Sequence, residues 1–146
     1  MLESKNIYLS DDDADDRDFF TEAVLEISKN HRLTISTNGA ELMEQLQKPP
    51  VPLPDIIFLD INMPKKDGIQ SLDEIRKNEL TGNIPVVMYS TSANPDFINK
   101  AHKLGANFYF VKPSDYKSLK QRIAAVLSID WSRQVFPVDS SQFVLC

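Results

Sequence analysis

Six aspartates fall within eight positions of the sequence: Asp11, Asp12, Asp13, Asp15, Asp16 and Asp18. Carboxylates at a helix start are favoured by the helix dipole at about 0.3 to 1 kcal/mol each, which accounts for the later members of the group. It does not account for the three that precede the helix. Two like charges about 4 Å apart repel by on the order of 4 kcal/mol at an effective dielectric of about 20, so such a cluster needs a compensating cation. A further carboxylate, Asp60, closes the apolar run Ile56-Ile57-Phe58-Leu59. Hydroxyls follow another such run at Ser90-Thr91-Ser92, and Lys112 closes Phe108-Tyr109-Phe110-Val111. Hard oxygen donors and one ammonium, with no His or Cys among them, suit magnesium, manganese or calcium rather than zinc. Magnesium is favoured, because it pairs one or two carboxylates with phosphate oxygens. His31 and His102 follow no strand end and read as surface or packing residues.

Positioning these groups requires a scaffold that brings several chain segments to one rim. Short apolar runs read as strands over Asn6 to Ser10, Arg32 to Ser36, Asp55 to Asp60, Ile84 to Ser90 and Asn107 to Lys112. All but the second are near-continuous in apolar residues, as parallel strands covered on both faces require. Leu33 and Ile35 alternate with Thr34 and Ser36, which suits an edge. Between and after the strands, amphipathic stretches predict helices from Ala14 to Lys29, Gly39 to Gln47, Asp67 to Asn78, Asn94 to Gly105 and Asp115 to Ser128. Strict alternation of strand and helix predicts an α/β fold, a parallel doubly wound sheet with chemistry beyond the carboxyl ends of its strands. Asp11, Asp60, Ser90 and Lys112 all fall there. Asn62-Met63-Pro64 and Asp67-Gly68 read as a turn after Asp60, with Gly68 free to take dihedrals that other residues resist.

Two segments stand outside the alternation. Lys48 to Pro54 holds four prolines and reads as a stiff spacer. Ile129 to Cys146 carries Trp131, Phe136, Phe143 and Val144 without periodicity, and either folds back or serves another chain.

The chain has 146 residues and a formal net charge of −5, one domain's worth of acidic polypeptide with an ordinary 42% hydrophobic share. The absence of a Lys/Arg-rich run argues against nucleic acid or an anionic membrane surface as partner. The longest apolar run, Ile123 to Leu127, has five residues against the roughly 20 that span a bilayer. Cys146 is the sole cysteine, so no internal disulfide forms, in keeping with a cytoplasmic setting.

Four segments together make the sequence resemble the receiver domain of two-component response regulators. They are Ile7-Tyr8-Leu9-Ser10-Asp11-Asp12, Asp60 to Gly68, Pro85 to Ser90, and Leu104 to Pro113. The resemblance covers residues 5 to 128 and implies a flavodoxin-like (βα)5 fold with five parallel strands in the order 2-1-3-4-5. It implies a receiver at 1–128 and a tail at 129–146 with no output domain, so that signalling runs through a partner protein. Asp60 is then the acceptor of a phosphoryl group from a sensor histidine kinase or a histidine phosphotransfer protein. Asp11 and Asp12 would hold Mg2+ together with Asp60 and the backbone carbonyl of Asn62. Three consecutive aspartates leave that register open by one: Asp12 is favoured as direct ligand with Asp11 behind it, and Asp13 is the fallback. Lys112 would meet the phosphoryl oxygens, the Lys112–Pro113 bond would be cis, and Ser90 would hydrogen-bond the new phosphoryl group while Tyr109 turns inward. Thr91, Asn62 and Met63 would tune access of water. A degenerate receiver that binds without phosphorylation, and an aspartyl-phosphate phosphotransferase, are the alternatives; Asn62 stands where such enzymes carry a second acid.

Overall fold

The computed structural model describes residues 4–47 and 52–145. Its strands are β1 (Asn6–Ser10), β2 (Arg32–Ser36), β3 (Ile56–Leu59), β4 (Val86–Ser90) and β5 (Phe108–Val111), joined through α1 (Ala14–Ile27), α2 (Gly39–Leu46), α3 (Gly68–Lys77) and α4 (Pro95–Lys103). Helix α5 (Tyr116–Leu127) follows β5. Each helix begins on an Asp or Asn side chain that accepts a hydrogen bond from a first-turn amide: Asp13, Asn38, Asp67, Asn94 and Asp115. Such caps contribute about 1 kcal/mol each and fix where the chain leaves the sheet rim and turns back. At α3 the cap is reciprocal, with the Gln70 side chain accepting from the Asp67 amide.

All strand pairs are parallel, and their order is β2-β1-β3-β4-β5-β6. The expected order of the first five therefore holds, and β6 (Val144–Leu145) adds an edge that the sequence pattern did not reveal. A three-residue 3-10 turn, Trp131–Arg133, and a single-turn helix α6, Ser140–Phe143, lead the chain to that edge. The tail thus folds back on its own sheet. Of the proline-rich spacer, residues 48–51 lie outside the described residues, while the Asn6 side chain donates to the carbonyls of Pro52 and Leu53.

Alternation along the strands divides the core in two. Ile7, Leu9, Phe58, Val87 and Phe110 point to the α1 and α5 side with Phe20 and Ile123, whereas Tyr8, Ile57, Leu59, Met88 and Tyr109 point to the α2, α3 and α4 side with Leu42 and Leu72. Tyr89 stacks edge-on against both Phe58 and Phe110 in the first layer. Burial on both faces leaves the strand ends as the place where polar side chains from neighbouring strands meet.

Candidate functional site

The loops at the rim are pinned as continuations of the sheet. The Asp11 amide donates to the Ser36 carbonyl at 3.1 Å, the Asp60 amide to Ser10 at 2.9 Å, and the Lys112 amide to Ser90 at 2.8 Å. These bonds hold residues that are 101 positions apart in sequence to contact distance, the separation of Asp11 and Lys112.

Three carboxylates converge there: oxygens of Asp11, Asp12 and Asp60 all lie within 4.8 Å of one another. Asp11 is fully buried, Asp60 nearly so, and Asp12 is exposed. Asp13 is not part of the group. Its carboxylate instead caps α1 by accepting from the Asp16 amide at 3.0 Å. Lys112 closes the cluster, its side chain only 7% exposed. Its ammonium donates to Asp11 and to Asp16 at 2.8 Å each, lies 3.6 Å from Asp60, and sits 4.7 Å from the centre of the Tyr89 ring.

Too many acids share too little water here. Burial, reinforced by Asp11, pushes the Asp60 carboxyl up to about 7 although Lys112 and the Ile61 amide pull the other way. Burial by itself would lower the Lys112 ammonium; the hydrogen bonds to Asp11 and Asp16 and the charge of Asp60 raise it above the ordinary lysine value. A cluster that holds one of its own carboxyls half neutral near pH 7 has room for more positive charge. Its donors are carboxylate oxygens, with one acid open to solvent, which fits a hard divalent ion that keeps part of its water.

Ser90 and Tyr109 lie beside the cluster. Ser90 is fully buried and its hydroxyl accepts from the Ser92 amide at 3.1 Å. The Tyr109 hydroxyl donates to the Ser92 carbonyl at 2.7 Å, with the ring completely buried. Tyr109 therefore occupies the inward position in this structure. Asn62 and Thr91 are exposed at the mouth, whereas Met63 is buried and its sulfur accepts from the Ser10 hydroxyl.

Two backbone expectations need correction. The cis peptide bond among the described residues precedes Pro137, not Pro113. Lys112–Pro113 keeps the trans form, which is intrinsically preferred by about 0.5 to 1 kcal/mol, and Lys112 reaches its partners from it. Gly68 does not sit in the left-handed region either; that conformation belongs to Lys65, at φ 66°, and to Gly105. Glycine is required at 68 for space. A Cβ there would lie 2.1 Å from the Asp60 carbonyl oxygen, and the Gly68 amide donates to Ile61 at 2.9 Å. The first residue of α3 is thereby pressed against the backbone that carries Asp60.

Among the sequence-predicted residues, Asp11, Asp12, Asp60 and Lys112 meet in one cluster, with Ser90 and Tyr109 joined to each other through Ser92. Sequence reasoning missed Asp16 and Tyr89, the second anchor and the aromatic floor of Lys112. No local signal singled them out: Asp16 reads as one of several acids favoured at a helix start, and Tyr89 as one more apolar strand residue. The two histidines are packing residues as expected: His31 accepts from the Lys5 amide, and the His102 ring packs against Phe143.

The sequence and the fold have counterparts among known proteins. A profile of the family described as the response regulator receiver domain matches residues 7–124. The chain is 34% identical over 128 residues to response regulator Rcp1 of Synechocystis sp., covering 85% of this chain and 87% of that protein. It is 33% identical over 115 residues to chemotaxis protein CheY of Treponema pallidum, covering 77% and 78%. Among solved structures, the phosphorylated cyanobacterial phytochrome response regulator RcpA superposes with a TM-score of 0.82 at 31% identity, over 93% of this chain and all of that one. The Mn(2+)-bound form of Rcp1 gives a TM-score of 0.77 at 33% identity, over 92% and 99%.

Proposed function

The chain belongs to the receiver-domain family of two-component response regulators, and on that premise we propose that Asp60 is the residue that accepts the phosphoryl group and that output runs through a partner protein. The observation that carries the reading is the convergence of Asp11, Asp12 and Asp60 under the Lys112 ammonium at the end of β3. Receiver domains of this family are phosphorylated by histidine kinases, so the donor is a phosphohistidine on a sensor kinase or on a phosphotransfer protein.

In the step itself, an Asp60 carboxylate oxygen bonds to phosphorus as the phosphorus–nitrogen bond of the donor breaks and the electron pair leaves with the imidazole. Negative charge approaches negative charge, so the barrier is largely electrostatic. Asp11, Asp12, Asp60 and the Asn62 carbonyl would hold Mg2+, which supplies charge neutralisation for the phosphoryl oxygens when bound. Lys112 supplies the chain's own positive charge. Already 3.6 Å from Asp60, it needs only to loosen its hold on Asp11 to meet a phosphoryl oxygen while Asp16 retains it. The Ser90 hydroxyl accepts from the Ser92 amide and carries a proton of its own, which it would donate to the phosphoryl group. The retained acids, Ser90 and Lys112 weigh against a degenerate receiver.

Incubation of the chain with Mg2+ and acetyl phosphate tests this by intact mass. One phosphoryl adduct is expected on the wild type and none on Asp60→Asn. An adduct that persists in the variant would move the acceptor elsewhere, and none on the wild type would favour the binding-only alternative.

A further inference from the structure

The C-terminal segment is seated on the same residue that reports on the site. Strand β6 pairs with β5 so that Val144 lies opposite Tyr109 and Leu145 opposite Phe110. Phe143, just before it, is 1% exposed and packs between the rings of His102, at 4.7 Å, and Tyr109, at 6.3 Å. Upstream, the Val138 carbonyl lies 2.7 Å from His102 Nε2, tying the segment to α4. At its other end the Tyr109 ring bonds through its hydroxyl to Ser92, whose amide is held by Ser90. One tyrosine thus has the segment on its backbone and ring edge, and the phosphoryl-facing loop on its hydroxyl.

We propose that the α4–β5 face has a built-in ligand, residues 138–145, whose seating is coupled through Tyr109 to occupancy of the phosphorylation site. The coupling rests on the reading of Asp60 as acceptor. Its direction follows from the packing. Phe143 fills space against the ring only while Tyr109 is inward, so a seated segment holds Tyr109 in and keeps the Ser90–Ser92 loop drawn towards it. A phosphoryl group that engages Ser90 selects the same arrangement. Each event therefore favours the other, and by linkage the factor is the same in both directions.

The test uses the full chain with Mg2+ and beryllofluoride as the phosphoryl mimic, bound anion being read by fluorine NMR and the segment by amide hydrogen exchange. In the wild type, beryllofluoride is expected to slow exchange at 143–145. Phe143→Ala is expected to weaken beryllofluoride binding by about five-fold or more, with β1 and β3 amides still far better protected than those of 143–145. His102→Ala, which removes the outer contact and leaves the core intact, is expected to shift binding in the same direction by less. Unchanged affinity in either variant while residues 143–145 exchange freely would overturn the coupling. So would a wild-type segment whose exchange ignores bound beryllofluoride, a result that needs no variant to fold. Failure of the wild type to bind beryllofluoride at all would instead overturn the Asp60 reading, and this inference with it.

Discussion

The carboxyl end and the outer edge of β5 are held by opposite kinds of chemistry. At its carboxyl end Lys112 enters a cluster of four aspartates, where charge is in conflict: Asp60 is pushed up to about 7 and one ammonium is shared among Asp11, Asp16 and Asp60. Along its outer edge the partners are Phe143, Val144 and Leu145, held by ring packing and a two-residue ladder. The first region is rigid in backbone and unsettled in charge. The second is settled in its contacts but small in extent. Receptivity to a phosphoryl group needs the former, and an element that can be released at modest cost needs the latter.

Matched truncations make the contrast measurable. Phe20→Ala, in the α1 layer against Phe58, is expected to cost about 4 kcal/mol in urea unfolding, the range for a buried aromatic in a continuous core. Phe143→Ala, although equally buried, is expected to cost only about 2 kcal/mol, because the segment can leave its seat without unfolding the sheet. Equal losses would mean that β6 is as integral as the central strands.

Gly68→Val is expected to cost about 3 kcal/mol by overpacking and to abolish phosphorylation from acetyl phosphate. The added side chain would have to displace the Asp60 backbone, which a Cβ would approach to 2.1 Å. A folded variant phosphorylated at the wild-type rate would show that the placement of Asp60 tolerates movement.

A smaller effect distinguishes the regions by pH. Asp60 titrates higher when folded than its ordinary value of 3.8, so between about 4 and 7 the folded state binds more protons than the unfolded state. Stability in EDTA is therefore expected to fall as pH rises through that window, by at most about 1.4 kcal/mol per pH unit. The melting temperature of Asp60→Asn should lose that part of the slope, whereas that of Phe143→Ala should keep it. Added Mg2+ should flatten the wild-type curve. A wild-type slope no more negative than that of Asp60→Asn across the window would contradict the electrostatic account of the rim.

The contrast also separates what could be read from the sequence from what could not. Asp60 and Lys112 were legible because each ends an apolar run, and in a doubly wound sheet a charged residue at that point has one place to go. The helix starts expected at Asp67, Asn94 and Asp115 fall within one residue of those observed, because the amphipathic pattern begins there. Asp16 was not, because its partner Lys112 is 96 positions away and nothing near it marks which acid faces inward. The role of Gly68 was misread as dihedral freedom, since a close approach of two backbones leaves no trace in composition. Strand β6 escaped because Val144 and Leu145 carry no alternation of their own; they are a strand only because β5 offers an open edge.

The central claim is tested most directly by locating the modified residue. After treatment with Mg2+ and acetyl phosphate, borohydride reduction converts an aspartyl phosphate to homoserine, and peptide mass analysis reads its position. Homoserine at position 60 and nowhere else is the predicted result; homoserine at Asp11 or Asp12, or none in a chain that carries a phosphoryl adduct, would contradict the account.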